Sequence, residues 1–180
     1  YAGWNATQRA NATAGALVNY LRGQHEFEMR TDGTHTDLNN RLFRQREHVL
    51  GDIIDSSPVF VKKPPFRYSD SGYATFVGAN AGREGTVYVG ANDGMLHAFD
   101  AETGQERWAY VPRMLHGELY KLADAAYAQN HRFYVNGVIT VGDAYDGSDW
   151  RTVLIAGLGG GGKGYFALDV TDPDDPQVLW

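Results

Sequence analysis

An internal repeat limits the folds open to this chain more than any other feature of its sequence. Residues 86–108, TVYVGANDGMLHAFDAETGQERW, align with residues 152–180, TVLIAGLGGGGKGYFALDVTDPDDPQVLW. Each copy contains Thr-Val, an apolar run, a glycine-rich turn, Ala-x-Asp, a polar turn and a final Trp. Such a repeat indicates that similar structural units stack on one another, because a single unit cannot bury its apolar face alone.

The apolar runs within the repeat predict β-strands. Asn92, Asp93 and Gly94 separate two such runs, which is a strong signal for a hairpin. The stretches SPVFV, at residues 57–61, and VNGVITV, at residues 135–141, stand at the head of the two copies and predict one more strand each. Each copy therefore predicts about four strands, the unit of a propeller blade. The predicted fold class is all-β, an incomplete β-propeller that contains its first blades.

Two segments interrupt this β pattern. Residues 1–48 predict an N-terminal segment of helices and loops, and residues 49–180 predict the first blades of a larger propeller. Leucines and alanines at helical spacing predict a helical insertion at about 113–131. The insertion explains why the two copies lie farther apart than the ~40–50 residues of an ordinary blade. The candidate partner contacts on the insertion are Arg113, His116, Tyr120 and Tyr127.

The N-terminal segment predicts two short helices. The first is indicated by apolar residues at helical spacing, namely Ala14, Leu17, Val18 and Leu21. Gly23 is expected to end this helix. A second short helix is predicted within residues 37–51. The basic cluster in that stretch, which we interpret as a solvated face rather than an anion site, consists of Arg41, Arg44 and Arg46.

The stretch GLGGGGK at residues 157–163 has the G-x-x-x-x-G-K spacing of a phosphate-binding loop. Such a loop needs a helix after its glycines, because backbone N–H groups and the helix dipole hold the phosphate. Here the residues that follow alternate as in a strand, and Gly164 occupies the position where Mg²⁺ coordination needs Ser or Thr. We therefore interpret the glycines as a turn.

The stretch AFDAETGQERW fits the pattern A-x-D-x-x-T-G-x-x-x-W and predicts how the blades join. Asp100 is expected to accept hydrogen bonds from turn amides, and Gly104 to supply the positive φ that reverses the chain. Trp108 would then pack its indole on the neighbouring blade. The second copy has Asp-Pro in place of Thr-Gly and a longer turn, which predicts similar packing with a bulge. The predicted docking residues are Ala98, Asp100, Thr103, Gly104, Trp108, Asp169 and Trp180.

The composition excludes several classes of function. The net charge of −6 provides no basic field for nucleic acid or anionic lipid. The chain has no cysteine, which excludes disulfides, zinc–thiolate sites and cysteine nucleophiles. It has no apolar run of about 18 residues, so no membrane span is predicted.

No catalytic or metal-binding residue is predicted. The histidines are scattered without acidic partners at helical spacing: His25, His35, His48, His97, His116 and His131. We expect a packing or surface role for His97, and a turn rather than a nucleophile at Ser56, which no G-x-S-x-G frames. Carboxylates spaced by three, unlike those of a calcium loop, are Asp143, Asp146 and Asp149. A proline-bounded turn is the interpretation of Asp172, Asp174 and Asp175.

Three stretches together resemble one family. They are residues 50–61, which run from Leu50 to Val61, residues 87–112, VYVGANDGMLHAFDAETGQERWAYVP, and residues 151–173, RTVLIAGLGGGGKGYFALDVTDP. They resemble the C-terminal domain of the PilC/PilY family, the tip-associated adhesins and assembly factors of bacterial type IV pili. The stretch LVNYLRG is similar to the segment that precedes that propeller. The resemblance implies a modified quinoprotein-like propeller that binds no quinone.

The resemblance also implies a non-enzymatic function outside the cell, at the pilus tip or outer membrane. Members promote pilus assembly, oppose retraction and contribute to attachment. The implied partners are the remainder of the propeller, minor pilins and host surface ligands. No cofactor is expected in this segment, whereas a calcium loop of the Asp-x-Asp-x-Asp type is implied in a later part of the propeller.

Two other functions remain open. A PQQ-dependent quinoprotein dehydrogenase would carry the same repeat, because the repeat serves blade packing. A scaffold like the outer-membrane lipoprotein of the β-barrel assembly machinery would have more regular repeats and no long insertion. Since a closed ring needs at least ~4 blades, we expect this sequence to be part of a larger domain that exposes strand edges when produced alone.

Overall fold

The computed structural model describes residues 3–31, 33 and 36–180, and His35 lies outside them. The chain divides into two compact units. One consists of Tyr1–Gly51 and Leu115–Arg132, and the other of Asp52–Met114 and Phe133–Trp180. The N-terminal residues and most of the insertion therefore belong to one unit, and the strands belong to the other.

The first unit begins with two helices, α1 (Ala6–Asn11) and α2 (Ala14–Leu21). The side chains of Asn5 and Thr13 cap them, each accepting a hydrogen bond from a backbone N–H of the first turn. The chain leaves α2 through Gly23, whose φ is +101°. The predicted first helix and its terminating glycine are confirmed.

The core of this unit is small and is built from both of its chain segments. Its buried members are Ala16, Tyr20, Leu42, Phe43 and Ala123. The buried face of α2 is therefore centred on Ala16 and Tyr20, and Leu17 and Leu21 only border it. Val18 was predicted on the apolar face but is 50% exposed.

The second predicted helix, within residues 37–51, is wrong apart from one 3₁₀ turn at Leu38–Asn40. Beyond that turn the chain is extended: the Phe43 N–H donates to the Phe27 carbonyl at 2.9 Å, and the Met29 N–H donates to the Phe43 carbonyl at 2.7 Å. Backbone pairing with residues 27–29 thus replaces the helical hydrogen bonds.

The basic cluster is not the solvated face that we predicted. Arg46 is 7% exposed, and its Nε donates to Glu28 Oε1 at 2.7 Å. Its guanidinium lies 3.7 Å from the centre of the Tyr20 ring. Arg44 is half-buried, with its guanidinium 4.5 Å from the centre of the Tyr127 ring. Buried acceptors and aromatic rings, which are distant in sequence, hold these cations.

The insertion consists of short 3₁₀ helices rather than one continuous helix. They span Arg113–Leu115, Leu119–Ala123 and Tyr127–Gln129. Leu119 and Leu122 are buried, so the apolar spacing marks residues that pack but does not produce an α-helix. Asp124 ends the second 3₁₀ helix in an extended conformation, which stops helical hydrogen bonding from continuing.

The second unit contains two four-stranded antiparallel sheets, each with its strands in chain order. The first sheet comprises β1 (Val59–Val61), β2 (Thr86–Gly90), β3 (Leu96–Asp100) and β4 (Glu106–Tyr110). The second sheet comprises β5 (Ile139–Tyr145), β6 (Trp150–Gly157), β7 (Tyr165–Asp169) and β8 (Gln177–Val178). Each sheet is one blade. The mostly-β fold, an unclosed partial propeller, is confirmed.

The predicted hairpin lies between β2 and β3. The Ala91 N–H donates to the Met95 carbonyl at 3.0 Å, and Gly94 has a φ of +94°. A bulge was predicted in the second copy of the repeat, but the structure has it in the first copy. The β3–β4 register shifts between Ala98 and Phe99, whereas β7 and β8 pair without a shift. The longer turn of the second copy takes up its additional residues outside the ladder.

The glycines after β6 pack against the backbone of residues 134–137. A Cβ added to Gly161 would lie 1.9 Å from the Tyr134 carbonyl oxygen, and one added to Gly137 would lie 2.3 Å from the Gly157 carbonyl oxygen. Both distances are far below van der Waals contact, so this approach requires glycine. A three-residue 3₁₀ turn at Gly159–Gly161 leads to β7, and strand rather than helix follows the glycines.

A helix that the sequence did not indicate connects β1 and β2. This helix, α3 (Tyr73–Ala79), has Gly72 at its N-cap and no side-chain cap. Tyr73 is 1% exposed, and its hydroxyl donates to Asp143 Oδ2 at 2.7 Å. None of the helices in the described residues is both long enough and apolar enough to cross a lipid bilayer.

Candidate functional site: the joint between the blades

The joint between the blades consists of Asp100, Arg107 and Trp108 of the first blade with Pro173 and Asp174 of the second. The turn that begins at Asp100 supports it on the first blade. Asp100 Oδ1 accepts hydrogen bonds from the backbone N–H of Glu102 at 3.0 Å, and from the N–H and hydroxyl of Thr103 at 2.7 and 2.9 Å. Gly104 has a φ of +73° and reverses the chain into β4. The hydrogen bond from the Thr103 N–H is the main cause that holds the pKa of Asp100 below its ordinary value.

Trp108 connects this turn to the second blade. It lies on β4, directly opposite the fully buried Ala98 on β3. Its indole Nε1 donates a hydrogen bond of 2.8 Å to the carbonyl oxygen of Pro173, in the turn between β7 and β8. Its ring also contacts Tyr88, with ring centres 5.7 Å apart. The indole thus joins apolar packing in its own blade to a polar anchor on the next.

Arg107 is a joint residue that the sequence motif did not reveal. Its Nη2 donates to Glu84 at 2.7 Å and also bonds to Asp100, and its Nη1 donates to Asp174 of the second blade at 2.6 Å. The side chain is 9% exposed. The hydrogen bond to Glu84 is the main cause that raises the pKa of Arg107 above its ordinary value. The motif leaves this position variable, and two of its three partners, Glu84 and Asp174, lie 23 and 67 positions away.

Asp169 repeats the role of Asp100 with a different partner. Its Oδ1 accepts from the N–H and hydroxyl of Thr171 at 2.9 and 2.6 Å, and its Oδ2 accepts from Arg151 at 2.7 Å. Burial acts to raise the pKa of Asp169, but the bonds from Thr171 and Arg151 lower it overall. Thr171 therefore does for the second turn what Thr103 does for the first.

Trp180 does not occupy a joint like that of Trp108. Its backbone carbonyl accepts from the Ala167 N–H at 2.9 Å and so extends the outer edge of the second blade, but the residue is 62% exposed. The expected docking of Trp180 on a neighbouring blade is therefore absent among the described residues.

A second contact between the blades is centred on Arg83. Its Nη1 donates to the Thr152 hydroxyl at 2.9 Å and to the Thr171 carbonyl at 3.3 Å, and its Nε donates to the Lys62 carbonyl. The Thr152 hydroxyl in turn donates to Asp143 Oδ1 at 2.8 Å. Burial is the main cause that lowers the pKa of Arg83, against the opposing effect of Asp143.

The carboxylates that the sequence analysis considered for a metal site each accept hydrogen bonds from different protein groups. Asp143 accepts from Thr152 and Tyr73, whereas Asp146 accepts from the backbone N–H groups of Ser148 and Asp149. Asp172 accepts from the Asp174 N–H at 3.0 Å, in the turn that the prolines predicted. Within the described part of the chain, no group of three His, Asp or Glu side chains could hold a metal ion.

His97 has the acidic partners that the sequence analysis did not find. It is 5% exposed, its Nδ1 lies 2.6 Å from Glu106 Oε1, and its Nε2 lies 3.1 Å from Asp93 Oδ2. Asp93 stands four positions before His97, a spacing that the sequence analysis overlooked. Glu106 is nine positions away on the adjacent strand β4, so helical spacing could not reveal it. Burial acts to lower the pKa of His97, but Asp93 and Glu106 raise it above its ordinary value.

His25 is a second exception, since its Nδ1 lies 3.1 Å from Glu28 Oε1, three residues later. Glu28 is fully buried and also pairs with Arg46 and Arg30. Burial acts to raise the pKa of Glu28, but Arg46 and His25 lower it below its ordinary value. This buried ionic cluster belongs to the first unit.

The candidate partner contacts of the insertion differ in exposure. Arg113, His116 and Tyr120 are exposed. Tyr127 is buried at 7% exposure, and its hydroxyl donates to the Arg132 carbonyl at 3.4 Å. Tyr127 is therefore wrong as a surface contact, because Arg44 covers its ring from within the same unit. Ser56 is buried too, and its hydroxyl accepts from the Gly90 N–H at 2.9 Å at the start of the first sheet.

Two blades joined through Trp108, Arg107 and Arg83 define a protein of the β-propeller class. The family described as the PilY1 beta-propeller domain matches residues 50–180. The chain belongs to this family, which confirms its resemblance to PilC/PilY proteins.

Relatives and a solved structure agree with this assignment. A type IV pilus biogenesis factor PilY1 homolog of Xylella fastidiosa is 44% identical, covering 98% of this chain and 14% of that protein. PilY1 of Pseudomonas aeruginosa strain PAK is 46% identical, covering 82% of this chain and 13% of that protein. The crystal structure of the Pseudomonas aeruginosa PilY1 C-terminal domain matches with a TM-score of 0.53 and 40% identity, covering 67% of this chain and 24% of that one.

A shorter similarity links the chain to a quinoprotein. The quinohemoprotein alcohol dehydrogenase ADH-IIG of Pseudomonas putida is 36% identical over 84 residues, which cover 41% of this chain. This similarity covers a smaller part of the chain than the similarity to the pilus proteins does. The chain spans about one seventh of the length of the pilus relatives above, 14% and 13% respectively.

Proposed function

We propose that this chain is part of a type IV pilus biogenesis factor and acts there as a non-enzymatic propeller scaffold at the bacterial surface. The pilus relatives and the family match to residues 50–180 support this assignment. In this proposal the scaffold sits at the pilus tip or outer membrane, promotes pilus assembly, opposes retraction and mediates attachment. Its partners are the remainder of the propeller, minor pilins and host surface ligands.

The scaffold role is supported by the hydrogen bonds that the side chains of the motif residues form. The polar groups of Asp100, Thr103 and Trp108 all bond within the joint, and Asp169 bonds to Thr171 and Arg151. Because these polar groups form hydrogen bonds within the turns and the joint, they fix the orientation of the blades. A rigid pair of blades can present loops to partners without any chemical step.

Exposed residues of the insertion are the surface that we propose for partner contact. Arg113, His116 and Tyr120 remain the candidates, since each is exposed. Tyr120 is 46% exposed and offers an aromatic ring with a hydroxyl, the kind of side chain that is enriched at protein interfaces.

The experiment is to express the full-length protein with Trp108→Ala together with Arg107→Ala in its own bacterium. Surface pili are then measured by shearing, and twitching by colony spreading. The expected result is a loss of both, because the joint no longer fixes the blades. Gln45→Ala, at an exposed position outside both the joint and the insertion, is the control and should leave both unchanged.

Normal pili and twitching in the double variant, at normal protein level, would contradict the scaffold role. The quinoprotein alternative has its own test, in which the full-length protein is mixed with pyrroloquinoline quinone, Ca²⁺, an alcohol and a redox dye. We expect no dye reduction, and turnover would replace the scaffold proposal by a dehydrogenase. Any Ca²⁺ site is proposed to lie in a later part of the propeller.

A further inference from the structure

A cavity of about 380 Å³ lies between the two blades, beside the Arg83 contact. Its lining comes from β1 and the residues that follow it, from Arg83, and from β5 and β6. Its volume is in the range of ~300–1,000 Å³ that is usual for pockets that bind small molecules. The walls belong to one compact unit, so the cavity is a feature of the blade pair itself.

The walls of this cavity are apolar, and the charges around it are mainly positive. The apolar part includes Val59, Pro65, Phe66 and Val141. The charged residues that line it are three cations and one carboxylate: Lys62, Lys63, Arg83 and Asp143. This local excess of positive charge contrasts with the net charge of −6 for the whole chain. Charge complementarity therefore favours an anion with an apolar body.

Arg83 supplies an unused hydrogen-bond donor. The residue is 8% exposed, and its Nε and Nη1 groups are taken by Lys62, Thr152 and Thr171. Its Nη2 has no hydrogen-bond partner among the residues that the structure describes. A buried donor without a partner costs free energy of folding. Because Nη2 has almost no accessible surface, Arg83 acts on a ligand in the cavity through the charge of its guanidinium.

Asp143 does not use up this donor, because both of its oxygens are engaged elsewhere. Oδ1 accepts from the Thr152 hydroxyl, and Oδ2 accepts from the Tyr73 hydroxyl. Lys62 and Lys63 are exposed at the cavity and form no ion pair within the described part of the chain. Asp143 still offsets part of the Arg83 charge, but the three cations exceed this one carboxylate, so the cavity presents a net positive charge to a ligand.

We propose that this cavity binds a small apolar carboxylate. The carboxylate is attracted by the charges of Arg83, Lys62 and Lys63, and the hydrocarbon body lies against Val141 and Phe66. The apolar walls disfavour a multiply charged phosphate, which would lose more hydration on entry.

The test uses decanoate as the probe and the full-length protein, with binding measured by isothermal titration calorimetry below the micelle concentration of decanoate. Decylamine and decanol have the same chain with a positive or a neutral head and serve as ligand controls. We expect saturable one-site binding of decanoate that is at least tenfold tighter than that of decanol, and no binding of decylamine.

Two kinds of protein variant locate the site. Arg83→Gln removes the positive charge from the cavity wall, and should weaken decanoate binding about tenfold because one attractive charge near the carboxylate is lost. Val141→Phe fills the cavity and should abolish binding of decanoate and decanol alike. Because Arg83 also holds the blades together, the melting temperature of each variant is measured in parallel. Lys62→Ala with Lys63→Ala provides a variant at exposed positions that is expected to fold normally and to bind more weakly.

Weaker decanoate binding in the exposed double lysine variant and in folded Val141→Phe would support the proposal. No decanoate binding by the unaltered protein would overturn it, as would equal affinity for decanoate and decanol. Undiminished binding by Val141→Phe would place the ligand elsewhere on the protein and would also overturn it. These results are independent of pilus assembly, so this inference and the scaffold role can fail separately.

Discussion

The indole N–H of Trp108 donates a hydrogen bond of 2.8 Å to the carbonyl oxygen of Pro173, which lies 65 residues farther along the chain. Trp108 is on the last strand of the first blade, and Pro173 is in the last turn of the second. Arg107, the preceding residue, reaches Asp174 beside Pro173. Two adjacent side chains therefore hold one blade to the next, and the stability of each blade depends on the other.

Replacing Trp108 should separate the contributions of its hydrogen bond and of its packing to the free energy of unfolding. Trp108→Phe removes the hydrogen bond to Pro173 but keeps an aromatic ring near Tyr88, and should lower the free energy of unfolding by about 1 kcal/mol. Trp108→Ala also removes the ring, and should lower it by about 2–3 kcal/mol because the side chain is half-buried. Urea denaturation followed by circular dichroism measures both changes.

Trp180→Phe is the matched control for this pair. Trp180 is 62% exposed, so in this chain its replacement should change the free energy of unfolding by less than about 0.5 kcal/mol. Equal effects of Trp108→Phe and Trp180→Phe would contradict a specific bond between Trp108 and Pro173.

Gly161→Ala should be severely destabilising although it adds one methyl group. The new Cβ would lie 1.9 Å from the Tyr134 carbonyl oxygen, so the backbone of one segment must move. We expect a loss of about 3 kcal/mol or more in the free energy of unfolding, the upper range for overpacking. Gly142→Ala is the control, because nothing lies within 4 Å of the added Cβ. A mild effect of Gly161→Ala in thermal denaturation would show that these segments are not closely packed.

The sequence predicted the two blades because their signals are local or periodic. The Asn92–Gly94 turn, the alternation around Ala167 and the repeated Ala-x-Asp are each contained in a few residues. Asp100 and Gly104 could be assigned to a turn for the same reason, since their partners lie within four positions.

The sequence could not predict features that depend on distant residues. Arg107 and Arg83 find their acceptors in other turns, and nothing in their local patterns indicates this. The sequence predicted Arg46 on a solvated face because its partner, Glu28, lies 18 positions away. The missed helix α3 is short and has no side-chain cap, so the usual N-terminal signal was absent.

The buried pair of Glu28 and Arg46 should make the first unit sensitive to substitution and to acid. Glu28→Gln leaves the Arg46 charge without its carboxylate, and should lower the free energy of unfolding by about 3 kcal/mol. The pKa of folded Glu28 lies below its ordinary value, so its contribution is present above the unfolded pKa near 4.5. That contribution is lost as the pH falls through the folded pKa.

Chemical denaturation of the unaltered chain and of Glu28→Gln between pH 7 and pH 3 measures this effect. The difference between them should shrink as the pH falls below about 4.5. Glu47→Gln, at an exposed neighbouring position, is the control and should change little at any pH. A difference between Glu28→Gln and the unaltered chain that stays constant down to pH 3 would contradict the assigned ion pair.

His97 should stabilise the first blade more at low pH than at high pH. Asp93 and Glu106 lie on the two sides of its ring, and Phe99 stacks on it with ring centres 5.8 Å apart. The pKa of folded His97 is raised above its ordinary value, so the charged form is favoured by folding. Its contribution is complete below the unfolded pKa near 6.5, and is lost as the pH rises through the folded pKa.

His97→Gln keeps a polar side chain but cannot ionise, so the variant isolates the effect of the charge. We expect it to lower the free energy of unfolding by about 1.5–3 kcal/mol at pH 5.5, the range for hydrogen bonds to charged groups, and by less at pH 9. His116→Gln, at an exposed position on the insertion, should show no such pH dependence. NMR titration of the imidazole gives the folded pKa directly, and a value below 6.5 would refute the stabilising role of Asp93 and Glu106.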